Sequence, residues 1–66
     1  MDSLTLSQAM AYADQLLARL EDGFHVEKSE VKRLEFAVEN YSRGSEVGRM
    51  LMDRFDLIVI KTGYED

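Results

Sequence analysis

The chain contains no cysteine and no proline. Without cysteine there are no disulfides and no thiolate metal ligands. The same absence fits a reducing compartment such as the cytoplasm. Without proline no helix is interrupted from within, which suits a helical fold better than a loop-rich one. The single histidine, His25, cannot build a histidine cluster. No apolar run reaches the roughly 18 residues needed to span a membrane. The first residues, MDSLTLSQ, lack the positive charge and apolar core of a signal peptide. A cytoplasmic location is therefore expected.

What is present is small and acidic. Sixty-six residues predict one domain, 1–66, with residues 64–66 as a frayed acidic tail. A chain this short buries only about 60% of the surface its unfolded form exposes. Helix packing or self-association must make up the difference. A hydrophobic content of 45% suffices for a core and argues against disorder. Thirteen acidic residues against eight basic ones leave a net charge of −5. Such a body repels nucleic acid and anionic membranes and attracts basic surfaces. The charge also serves solubility alone, and both readings stand at this level.

Periodicity predicts a mainly α, compact three-helix domain with helices at about 6–22, 29–43 and 46–55. In the first, Leu6, Ala9, Met10, Ala13, Leu16, Leu17 and Leu20 hold one stripe. Thr5 and Gln8 have capping-box spacing, and Gly23 supplies a stop. Phe24–Glu27 connects to the second helix, and Phe24 is expected to close one end of the core. The second helix carries Val31, Leu34, Val38 and Tyr41 on its inner stripe, with Ser29 as the expected cap and Gly44 beyond its end. Ser45 can cap the third, which continues through Val47, Met50, Leu51 and Arg54. Met50 and Met52 flank Leu51, so one of the three must leave the core stripe. Segment 56–61 stays open between two readings. Leu57, Ile58, Val59 and Ile60 have strand-like composition and could pair with 24–27 as a short strand. Alternatively they extend helix 3, with Lys61 favouring its C-terminus and Gly63 ending it.

No catalytic or metal motif occurs. His25 has no nucleophile partner, so it reads as a loop residue. The carboxylates lack the spacing of a calcium loop, and a chain this size hardly encloses an acid/base cleft. No metal or cofactor is expected, and the chain reads as a non-enzyme. Two helices joined by a short Gly/Ser turn suggest a helix-turn-helix. Its recognition helix would offer only Arg49 and Arg54 against Glu46, Asp53 and Asp56, so direct nucleic-acid binding is not expected.

The second helix has an unusual outer face. Phe36 points about 180° from the inner stripe, among Lys32, Arg33, Glu39, Asn40 and Arg43. Either the C-terminal segment folds over it or a partner does. Tyr12 and Met52 are further candidates for exposed apolar contact. Glu35 and Glu39 stand one turn apart, and like charges at that spacing cost a few tenths of a kcal/mol. A row of carboxylates can imitate the phosphates of a nucleic-acid strand. Lys32 beside Glu35 and Arg43 beside Glu39 weaken that imitation.

With Glu21, Asp22, Glu27, Glu30, Glu35, Glu39, Glu46, Asp53 and Asp56 in a cysteine-free domain, the chain resembles the small phage-encoded anti-CRISPR proteins of the type I inhibitors. That family shares no motif, so no residue role is carried over. The resemblance implies a stoichiometric inhibitor in the host bacterium's cytoplasm. Its partner would be a basic nucleic-acid channel on a CRISPR surveillance-complex subunit. The expected function is an acidic, DNA-mimicking, protein-binding inhibitor that is a monomer or weak homodimer. Its expected contact residues are Glu27, Glu30, Glu35, Phe36, Glu39, Glu46, Asp53 and Asp56. The alternative is a small homo-oligomeric structural or regulatory adaptor, joined through its apolar C-terminal segment.

Overall fold

The computed structural model describes residues 4–41 and 43–64. They form α1 (Leu6–Glu21), α2 (Lys28–Tyr41) and α3 (Glu46–Thr62), each packed against the other two. Among the described residues there is no strand. The strand alternative for 56–61 is not adopted, and the third helix runs past residue 55 to Thr62. The only local partner, 24–27, has its backbone committed to helix ends. The Phe24 N–H donates to the Arg19 carbonyl and the Glu27 carbonyl accepts from α2. A helix satisfies its own backbone groups. It also returns Ile58 to the core stripe, two turns after Leu51.

The start of α1 is the predicted capping box. Thr5 Oγ1 accepts from the Gln8 N–H at 3.1 Å, and Gln8 Oε1 accepts from the Thr5 N–H at 2.9 Å. At its end Gly23 takes φ +83°, a region costly for a residue with a Cβ. Gly23 N–H bonds the Leu20 carbonyl at 3.2 Å and Phe24 N–H the Arg19 carbonyl at 2.8 Å. This pair is a Schellman closure. It turns the chain so that Phe24 does not close the core: its ring is 64% exposed. Val26 is the connection residue that is buried instead.

The cap of α2 is Glu27, not Ser29. Its carbonyl accepts the N–H of Glu30 at 3.1 Å and of Val31 at 3.4 Å. The Glu30 carboxylate reaches back to the Glu27 N–H at 2.9 Å, the reciprocal half of a capping box. A glutamate carboxylate at this position satisfies a free N–H and meets the positive end of the helix, so Ser29 lies inside α2. Ser45 caps α3 as expected, its Oγ accepting from Gly48 N–H at 3.0 Å. Gly63, at φ +74°, closes α3 through its N–H on the Val59 carbonyl at 2.8 Å.

The core is made by Ala9, Ala13 and Leu16 of α1, Val31, Leu34, Ala37 and Val38 of α2, and Leu51 and Ile58 of α3, with Val26. Small residues set the helix spacing. Ala9 and Ala13 are fully buried on α1. Gly48 lies so close to the end of α2 that an added Cβ would fall on the Tyr41 carbonyl oxygen. Tyr64 is not frayed: its hydroxyl donates to the Val26 carbonyl at 2.9 Å and pins the chain end to the first connection. The rest of the expected tail, Glu65 and Asp66, lies outside the described residues.

Candidate functional site

The expected contact residues divide into those that hold the fold and those that face outward. Glu30 belongs to the first group. It sits in the first turn of α2, facing the last turn of α1, and takes a forked ion pair from Arg19. The Nη1 contact is 2.7 Å to Oε1 and the Nη2 contact 3.2 Å to Oε2. The same Nη2 donates to the His25 carbonyl at 2.7 Å. One guanidinium therefore joins α1, the connection and α2. The Arg19 hydrogen bonds, aided by the Glu27 N–H, hold the Glu30 carboxyl below its ordinary range. In return Glu30 raises the Arg19 guanidinium above its own. Glu27 is exposed beside His25, with Oε2 2.8 Å from Nε2.

Glu35 of α2 and Asp56 of α3 border one shallow groove, with Lys28 and Lys32 on the α2 side. Phe55 and Val59 form part of its floor and Tyr64 its end. Its volume, about 190 Å³, is below the roughly 300–1,000 Å³ of typical small-molecule sites. Glu46 and Asp53 border a second hollow at the start of α3, with Arg49 and Met50. Glu39 is exposed on α2, one turn from Glu35. The carboxylates thus occupy several stretches of surface, with cations interspersed.

Phe36 stands apart from all of these. It is 71% exposed, in the middle of α2. Among the described residues the C-terminal segment does not fold over it, and Tyr64 closes on Val26 instead. Burying a ring of this size normally contributes much of a core's stability, so an uncovered one is a feature to be explained. Tyr12, by contrast, is half-buried between α1 and α2. The Arg33 guanidinium lies 5.9 Å from its ring centroid, and burial raises its hydroxyl pKa. Met50 and Met52 both stand out on either side of the buried Leu51.

Comparison with protein-family models, curated proteins and solved structures finds no match.

Among the described residues no three His, Asp or Glu side chains converge as metal ligands would. No buried side-chain polar atom among them lacks a hydrogen-bond partner. Among the described residues no helix is long and apolar enough to cross a membrane. Sequence reasoning missed three features. The Arg19–Glu30 knot had a signal, a cation in one helix's last turn and an acid in the next helix's first. The Tyr64 clasp and the Gly48 contact had none, since both depend on how the helices meet.

Proposed function

We propose that the protein is a non-enzymatic, acidic binding protein whose working surface is the outer face of α2, anchored by Phe36. Its partner is a protein with a basic, nucleic-acid-binding surface. The resemblance to anti-CRISPR inhibitors makes that partner a subunit of a CRISPR surveillance complex. One observation carries the reading: a phenylalanine 71% exposed in the middle of α2, among charged side chains. Aromatic anchors inside a polar rim dominate most protein–protein contacts. The net charge of −5 speeds encounter with a basic surface. Glu35 and Glu39 flank the ring on the same helix. Glu46, Asp53 and Asp56 extend the negative field over α3. Glu27 adds to it, whereas Glu30 is committed to Arg19.

The test is capture from host lysate on immobilised protein, at low and high salt, with and without added DNA. Phe36→Ala and Glu39→Lys baits run in parallel. Both positions are exposed, so the fold tolerates the changes. The expected prey binds at low salt, leaves at high salt, is displaced by DNA, and binds Phe36→Ala about 30-fold more weakly. A prey indifferent to salt and to DNA overturns the mimicry.

A further inference from the structure

The turn that ends α1 carries a reactive step in the main chain. Asp22–Gly23 is the one place in the sequence where an aspartate precedes a glycine, and the chain's one asparagine precedes a tyrosine. Glycine has no Cβ to hinder its own nitrogen, so that nitrogen reaches the preceding side-chain carboxyl most readily. In the reaction the Gly23 nitrogen attacks Asp22 Cγ. A C–N bond forms, and the carboxyl hydroxyl leaves with the amide proton as water. The resulting five-membered succinimide takes up one water. Opening at the main-chain carbonyl leaves isoaspartate, whose backbone runs through the former side chain. Opening at the other carbonyl restores aspartate. Water is the sole co-reactant, and nothing is oxidised or reduced.

The step is open to solvent yet held in an unreactive shape. Asp22 and Gly23 are both exposed, and nothing lies within 4 Å of a Cβ built on Gly23. Packing therefore does not prevent the ring from closing. The backbone does. Asp22 has φ −84° and ψ 0°. At that ψ the Gly23 nitrogen eclipses the Asp22 nitrogen and stands away from Cβ. The Gly23 N–H must also give up its proton to attack, and it is held on the Leu20 carbonyl at 3.2 Å. The neighbouring N–H groups fix the chain on both sides, Asp22 on the Ala18 carbonyl at 3.1 Å and Phe24 on the Arg19 carbonyl at 2.8 Å.

We propose that Asp22 is an isoaspartate-forming site whose rate is set by opening of the Gly23 closure. Helix ends open locally more often than a whole domain unfolds. The folded chain reacts through that open fraction alone. Isomerisation then makes the main chain one atom longer at the end of α1. The Gly23 and Phe24 closing bonds cannot both re-form on the longer path. Arg19, in the same turn, loses the register in which it joins Glu30 and the His25 carbonyl.

Incubation of the full chain at neutral pH, in buffer and in concentrated guanidinium, tests this. Trypsin releases residues 20–28 as one peptide, in which isoaspartate is resolved by chromatography and fragment mass spectra. Isoaspartate at position 22 is expected in guanidinium, and at least ~10-fold more slowly in buffer. Amide exchange of the Gly23 N–H measures the open fraction independently, and the ratio of the two rates should equal it. Phe24→Pro deletes one closing N–H, leaves Asp22–Gly23 intact, and should raise the rate in buffer. No isoaspartate at 22 in guanidinium overturns the site. Equal rates in the two solvents, or a slow rate in buffer that does not follow Gly23 exchange, overturn the closure as its brake. The exchange comparison uses the unaltered chain, so it decides even where Phe24→Pro fails to fold.

Discussion

Replacing Gly48 with alanine separates a packing role from a helix-propensity role by the sign of the effect. Gly48 lies in the first turn of α3 and is buried, with ordinary helical backbone. In an uncrowded helix, alanine would be the better residue by about 1 kcal/mol. Here its Cβ would fall on the Tyr41 carbonyl oxygen and come within 2.9 Å of Ser45 Oγ. The obstacle is backbone, so it cannot rotate away. Relief requires the start of α3 to move off the end of α2, and only residues 42–45 join them. Overpacking of this kind costs about 3 kcal/mol at the upper end of its usual range. Set against the propensity gain, the net loss is about 2 kcal/mol. In a domain of this size that lowers Tm by about 8–16 °C. Thermal unfolding followed by far-UV circular dichroism measures it. Asn40→Ala, at an exposed position of α2, serves as the control and is expected to raise Tm slightly. A Gly48→Ala protein with unchanged or higher Tm would refute the close approach of α2 and α3.

Three further outcomes follow from named contacts. Tyr64→Phe removes the hydrogen bond to the Val26 carbonyl and should cost about 1 kcal/mol in chemical denaturation; an unchanged midpoint would mean the chain end is not pinned. Glu30 has a folded pKa below its ordinary 4.5, so its contribution is complete above that value and is lost as pH falls through the folded pKa. Glu30→Gln should therefore lower stability at neutral pH and flatten its acid-side decline, measured by urea titration from neutral pH down to strong acid. Ile58→Asp and Ile60→Asp should behave oppositely, because Ile58 is 0% exposed and Ile60 77%. The first buries an unpaired charge and abolishes cooperative unfolding, whereas the second leaves Tm within a few degrees.

Helix existence was legible in the sequence because the inner stripes repeat over several turns and the caps are local. Thr5 with Gln8 and Ser45 with Gly48 needed nothing beyond their own segments. The fate of 56–61 was not legible from its own residues, since a short β-branched run suits a strand or a buried helix equally. What decided it lay elsewhere, in the use of Phe24 and Glu27 at helix ends. Phe24 misled for a related reason. It was expected to close one end of the core, but the Schellman closure at Gly23 turns it outward and Val26 is buried instead. Ser29 was a sound cap by residue type, yet Glu30 could satisfy both the Glu27 N–H and Arg19. A side chain that meets two demands wins over one that meets a single demand. At the candidate site, the exposure of Phe36 was one of two alternatives in the sequence. The dispersal of the carboxylates was not, because it depends on the relative turn of three helices.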